Sequence, residues 1–145
     1  MKTDYKVALI PYEKMEVILP LVSALNNDNI EYAVLQKRLK SMLVMGSYEC
    51  IGVFDNGELI AICGIWILNK LYSGKHIEPD NVFVKAEYRN KGVGQLMMDW
   101  LFAFAKQIGC IGLEVNCYVA NLRGKQFWER QGFEPIGHHL IMKLA

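Results

Sequence analysis

The residues with the most chemical content lie in one run. Val82-Phe83-Val84 leads through Lys85-Ala86-Glu87-Tyr88 into Arg89-Asn90-Lys91-Gly92-Val93-Gly94-Gln95. The pattern is Arg-x-x-Gly-x-Gly, after a strand-like triplet and before a long amphipathic segment. Glycines let a backbone turn sharply and approach a ligand closely. The first N–H groups of a helix lack intrahelical acceptors and sit at the positive end of its dipole, so they bind phosphate oxygens. Arg89 and Lys91 bring cationic side chains to the same place. Two familiar phosphate loops are excluded. No Gly-Lys-Ser/Thr follows Gly92 or Gly94, and Met97 stands where a dinucleotide fingerprint needs its third glycine.

Proton-transfer candidates lie on either side of this loop. Glu78 and Asp80 precede it, and strict strand alternation places Glu78, Asp80, Val82 and Val84 on one face if no bulge intervenes. Pro79 separates the two acids and disturbs the local geometry. Their plainer reading is a pair of solvated carboxylates. Glu114 is a weaker third acid, and His76 ranks below Glu78 and Asp80 as a base. His138 and His139 are adjacent in a final hairpin, so at most one of them faces a given site. Trp66, Tyr72 and Trp100 read as core or rim aromatics.

These groups need a scaffold, and hydrophobic periodicity outlines one. Residues 5–10 read as a strand. Val17, Ile18, Leu21, Val22 and Leu25 recur at helical spacing, with Pro20 implying a kink or a later start. Tyr32, Leu35, Leu39, Met42 and Leu43 mark a second helix closed near Gly46. Residues 49–54 and 58–68 form a hairpin around Asp55-Asn56-Gly57. Residues 75–84 make a further strand and 92–108 a long helix ended by Gly109. A strand follows over 111–117, then a helix over 121–131 ended by Gly132, and two short strands lie around Gly137. The strand–helix–strand passage over 82–115 implies a right-handed crossover and a parallel pair. The fold class is therefore mixed α+β, with a mostly antiparallel sheet and helices on its faces.

Composition narrows the partners. The chain has 145 residues, 52% of them hydrophobic, with 16 basic against 15 acidic residues for a formal charge of +1. That length fits one domain over 1–145. Near-neutrality excludes bulk binding to nucleic acid. No run approaches the ~18 apolar residues of a membrane span. Lys6, Glu13, Lys14 and Glu16 interrupt the start, so no signal peptide is expected. Cys50, Cys63, Cys110 and Cys117 form no Cys-x-x-Cys pair and no metal-ligand spacing. They read as thiols in a reducing, cytoplasmic setting. Charge is concentrated locally, with Lys85, Arg89 and Lys91 against Glu87 across the glycine loop.

The stretch VFVKAEYRNKGVGQLMMDWLFAFAKQIGC, followed by LEVNCYVANLRGKQFWERQGFEPIG, resembles the two central motifs of the GCN5-related N-acetyltransferase (GNAT) superfamily. The resemblance implies that fold, with one parallel strand pair that splays apart. It implies acetyl-CoA as cosubstrate and an amine acceptor, either a small molecule or a lysine-type group. The backbone of Val82, Phe83 and Val84 would pair with the pantetheine arm. Arg89, Asn90, Lys91, Gly92, Val93, Gly94 and Gln95 would hold the pyrophosphate, and Asn121 would face the pantetheine. Glu78 falls where histone-type members carry their general base, with Asp80 as the other choice. Trp128 replaces a tyrosine that protonates the leaving sulfur in many members. Tyr118 is then the substitute acid, or the thiolate leaves unassisted, since thiols ionise near ~8.5. Family members are often dimers, and the composition allows a homodimer. A non-catalytic acyl-CoA-sensing domain is the alternative that Trp128 favours, and a nucleotide-binding module without CoA is a weaker third.

Overall fold

A computed structural model describes residues 4–144; residues 1–3 and 145, the ends of the expected 1–145 domain, lie outside the described residues. Strand β1 (Tyr5–Leu9) is followed by a 3-10 segment over Tyr12–Ile18 and helix α1 (Leu19–Leu25). Pro20 sits in the first turn of α1, where its missing N–H costs nothing, so the true helix starts late. Helix α2 (Tyr32–Met45) ends at Gly46 in the left-handed conformation. Strands β2 (Tyr48–Asp55), β3 (Glu58–Lys70) and β4 (Gly74–Val84) follow, and Asn56 and Gly57 both have positive φ in the tight hairpin turn. Helix α3 (Val93–Gln107), a two-residue strand β5 (Gly112–Leu113) and helix α4 (Leu122–Arg130) complete the regular structure.

The sheet runs β1-β2-β3-β4-β5, antiparallel except for the parallel β4–β5 pair. Its central strands are buried on both faces. On one face Ile51, Val53, Ile65 and Ile77 pack with Val93, Met97 and Leu101 of α3. On the other, Cys50, Ile62 and Tyr48 pack with Leu19 and Leu21 of α1 and Leu35 and Leu39 of α2. This is the mixed sheet with helices on both faces that the element order implies.

Four expectations need correction. First, a β-bulge breaks the alternation in β4. Ile62 pairs with Phe83 but Gly64 pairs with Asp80, so β4 takes three steps where β3 takes two. Asn81 sits in this stretch with φ of 54°. Glu78 and Asp80 remain on one face, but Val82 and Val84 move to the α3 side with Ile77, while Phe83 packs toward α1 and α2. Second, the strand expected over 111–117 pairs only at Gly112 and Leu113, beyond which its sole bond to β4 is Glu114 N–H to Ile77 O. Third, residues 133–144 form no strands, so His138 and His139 lie in no hairpin. Tyr72 is also fully exposed rather than core or rim.

The bulge is seated on a glycine. A Cβ at Gly64 would collide with the Tyr48 hydroxyl and lie 2.8 Å from the Asp80 carbonyl oxygen. Tyr48 is wholly buried and its hydroxyl has no hydrogen-bond partner. Gly64→Ala is expected to lower stability by about 1–3 kcal/mol through overpacking. Tyr48→Phe, which removes the colliding oxygen, should restore part of that loss. Urea titration of the two single variants and the double variant checks this, and an unchanged midpoint in Gly64→Ala would refute the packing account.

Candidate active site

The glycine loop is held from both ends. The 3-10 turn Ala86–Tyr88 is anchored by the Tyr88 hydroxyl, which donates to Asp55 Oδ2 at 2.7 Å, and by edge-on packing of Tyr88 against Tyr5. Arg89 Nε donates to the Val84 carbonyl at 2.9 Å, and its guanidinium lies 5.4 Å from the Phe83 ring centroid. Arg89 therefore clamps the end of β4 to the loop instead of standing free. Lys91 is exposed, with its ammonium 5.7 Å from the Tyr88 ring centroid.

Gly92 precedes α3 with φ of 80°, and open space surrounds the position of a Cβ. The left-handed conformation is what requires glycine there. The N–H groups of residues 90–95 take no backbone acceptor within the chain, and Leu96 is the first to bond back, to Gly92 O. A row of N–H groups with no backbone acceptor among the described residues thus stands at the positive end of a 15-residue helix. The Gln95 side chain is used internally, bonding Asp99 and Gln131 and so tying α3 to the end of α4. A hollow of about 310 Å³ lies beside the loop, between Pro20, Leu21 and Ala24 of α1 and Phe83, Lys85 and Glu87.

The parallel pair parts immediately after Ile77–Leu113. The next residue on each strand is an acid, Glu78 and Glu114. His76 is the buried hinge of this group: its Nε2 lies 3.6 Å from one oxygen of each acid. His76 Nδ1 lies 2.8 Å from the Gly74 carbonyl oxygen, to which it donates, and Nε2 has no hydrogen-bond partner among the described residues. Lys70 Nζ stands 3.8 Å from Glu78. The three ligand atoms lie within 4.8 Å of one another, a donor set that suits a divalent cation, although here Lys70 supplies the cation beside Glu78. Asp80 is differently engaged, accepting from Trp66 Nε1 at 3.2 Å.

The second motif folds as a cap. Asn121 Oδ1 accepts from Gly124 N–H at 2.9 Å at the start of α4, and a Cβ at Gly124 would strike the Asn121 side chain. Trp128 is buried, edge-on to both Phe127 and Phe133, so its indole belongs to the core. Tyr118 is 83% exposed just past the unpaired segment. Burial pushes the Cys50 thiol up to about 12 and raises the Cys63 thiol further, so neither is a nucleophile near neutral pH.

The structure thus brings together Glu78, Glu114 and His76, and sets Asp80 beyond them against Trp66. It places Val82–Val84 and Arg89–Gln95 in one continuous bend, with Tyr118 and Asn121 following the parted β5. The proximity of His76 and Glu114 is not legible in the sequence, because only the parallel register sets them side by side. Tyr48 carried no signal at all, since it reads as any core tyrosine.

Residues 21–133 match the Acetyltransferase (GNAT) family, and the chain belongs to it. It is 23% identical over 125 residues to an uncharacterized N-acetyltransferase of Bacillus subtilis (strain 168), YhdJ, a match covering 86% of this chain and 87% of that protein. The ribosomal-protein-alanine N-acetyltransferase of Brucella melitensis biovar Abortus 2308 superposes with a TM-score of 0.80 at 16% identity, over 98% of this chain and all of that one. A predicted acetyltransferase from Clostridium acetobutylicum, crystallised with acetyl-CoA, superposes with a TM-score of 0.79 at 14% identity, over 97% and 96%. The chain is an acetyltransferase of the GNAT class, and acetyl-CoA is the donor that class uses.

The Tyr88 anchor has a pH signature. Its hydrogen bond to Asp55, aided by desolvation, pushes the phenol up to about 12. The folded state holds this proton more tightly than the open chain, whose phenol ionises near ~10. The contribution is complete below that pH and is lost as pH rises toward 12. Thermal unfolding between pH 9 and 12 should show a steeper loss in the wild type than in Tyr88→Phe, and parallel curves would refute the anchor.

Proposed function

We propose that the protein transfers the acetyl group of acetyl-CoA to a primary amine by direct attack, with Glu78 as the general base. The observation that carries this reading is the parting of β4 and β5, with Glu78 the first residue of β4 beyond the last pair. A gap between two parallel strands accepts an extended thioester arm along unpaired backbone edges. The α3 N-terminus, reached through Arg89–Gly94, suits the pyrophosphate. Val82–Val84 would supply the backbone edge and an N–H for the thioester oxygen as it becomes negative. Asn121 would face the pantetheine with its amide nitrogen, since its oxygen is engaged in capping α4.

The acceptor's class follows from charge. Glu78 and Glu114 face each other across the opening with His76 between them, and an acceptor arriving as an ammonium is drawn to the two acids. A lysine-like ammonium, with a pKa near ~10, must lose a proton to attack. That first proton passes to solvent as the amine enters; as the C–N bond forms the nitrogen becomes far more acidic, and Glu78 takes the second proton. The thiolate then departs, unassisted or with a proton from Tyr118. Asp80 is the lesser candidate for the base because Trp66 already occupies its carboxylate.

Glu78→Gln is expected to reduce kcat by about 10²–10⁴ with little change in acetyl-CoA affinity, and Asp80→Asn to cost much less. Thiol release across an amine panel measures both. The reverse order of effects would move the base to Asp80. Acetyl-CoA binding with no amine ever acetylated would favour the sensing role. Calorimetry on Gly92→Glu tests the loop, where affinity for CoA should fall at least tenfold. Unchanged affinity would refute the phosphate assignment.

A further inference from the structure

His76 is a buried polar side chain to which acetyl transfer gives no task. Its side chain is 1% exposed, and Nε2 has no hydrogen-bond partner among the described residues. A polar atom buried in that state keeps its desolvation cost uncompensated. Two carboxylate oxygens, Glu78 Oε2 and Glu114 Oε2, each stand 3.6 Å from Nε2. That separation is beyond hydrogen-bond reach, so neither acid satisfies the nitrogen, with or without a proton on it.

The separation fits a metal ion shared by the three groups. Donors bound to one tetrahedral zinc ion at about 2.0–2.2 Å stand about 3.4 Å from one another. The three donor atoms here lie within 4.8 Å of one another, so small rotations of the two acids complete the set. Both acids have room to make them, since their side chains are 23% and 47% exposed. The imidazole is held still. Its Nδ1 donates to the Gly74 carbonyl at 2.8 Å, the arrangement by which a backbone oxygen orients a metal-bound histidine. The backbone is set as well. Strand alternation puts His76 and Glu78 on one face of β4, and the Glu114 N–H bonds Ile77 O at 3.0 Å, which holds Glu114 across from Glu78.

The donor types select the ion. One imidazole nitrogen with two carboxylates suits a divalent transition metal, whereas magnesium and calcium favour all-oxygen shells. Lys70 is the competing cation. It reaches Glu78 alone, at 3.8 Å, and its half-exposed side chain can swing into water. Among the described residues no Lys or Arg stands within ion-pair distance of Glu114.

We propose that His76 Nε2, Glu78 and Glu114 bind one divalent transition-metal ion, with water completing its shell, and that the ion blocks acetyl transfer by occupying the Glu78 carboxylate. Any proton on Nε2 leaves to solvent as the metal binds. Binding is independent of the acetyl-transfer reading, whereas the inhibition rests on Glu78 as the base.

Calorimetry with zinc on the full chain, without acetyl-CoA, should give one ion per chain. Glu114→Gln should weaken binding by about tenfold or more. Lys70→Gln should tighten it by about two- to fivefold, because the competing cation is gone. His76→Gln should abolish it. Far-ultraviolet circular dichroism shows whether that variant folds, and Glu114→Gln, at an exposed acid, decides the matter if it does not. The double substitution His138→Gln with His139→Gln should leave binding unchanged. Zinc should also lower wild-type turnover, read as acetylated amine so that zinc–thiol binding does not enter, and a chelator should restore it. The site is overturned if the folded wild type binds no zinc, if Glu114→Gln binds as tightly as wild type, or if the double histidine variant loses binding. Zinc bound at these residues with turnover unchanged overturns the inhibition instead, and with it Glu78 as the base.

Discussion

The molecule depends on a hydrogen-bond ladder that stops. β4 and β5 pair at His76–Gly112 and Ile77–Leu113 and then separate. Backbone groups left unpaired in a dry interior are costly, so such a gap persists only where water or a ligand meets them. Glu78, Glu114 and His76 gather at that point. The acids following the last pair face each other, the buried histidine sits behind them, and the outer edge of the departing strand is left bare. The three strands on the other side keep the opening from collapsing, because β4 is bonded to β3 along nearly its whole length.

A second constraint re-aims the end of β4. Gly64 lets Tyr48 and the Asp80 carbonyl approach each other, and the bulge through Asn81 turns the remaining strand over. The valines then pack on the α3 face while Phe83 turns toward α1 and carries the Arg89 guanidinium on its ring. Arg89 in turn holds the Val84 carbonyl, so strand end, loop and helix start form one braced unit. Rigidity of this kind is what a phosphate cradle made of backbone N–H groups requires, since such donors are only as well placed as the chain that carries them.

Much of this was visible in the residues. The Asn-Gly hairpin, the amphipathic runs of α2 and α3, and the Arg-x-x-Gly-x-Gly bend are local signals whose physics acts within a few residues, and each appears where expected. The misses share a different cause. Alternation across Glu78–Val84 failed because a bulge depends on what the neighbouring strand presents, here a glycine sixteen residues back. The packing of Trp128, which stands where the resemblance expects a tyrosine, against Phe127 and Phe133 is likewise set by residues brought together only in the fold. The final two strands failed for a related reason: their residues have strand character, but a strand needs a partner, and residues 134–144 pair with none among the described residues.

The sequence by itself determined the element order, the turn chemistry, the phosphate-suited helix start and the absence of bulk charge for a polyanion. These follow from φ preferences, periodicity and composition, which are properties of short stretches. Only the tertiary structure decided which acid stands at the parting of the strands, that His76 lies between two carboxylates, and that Arg89 braces the loop. Those outcomes depend on register between strands far apart in the chain, where a shift of one residue exchanges the two faces of a sheet.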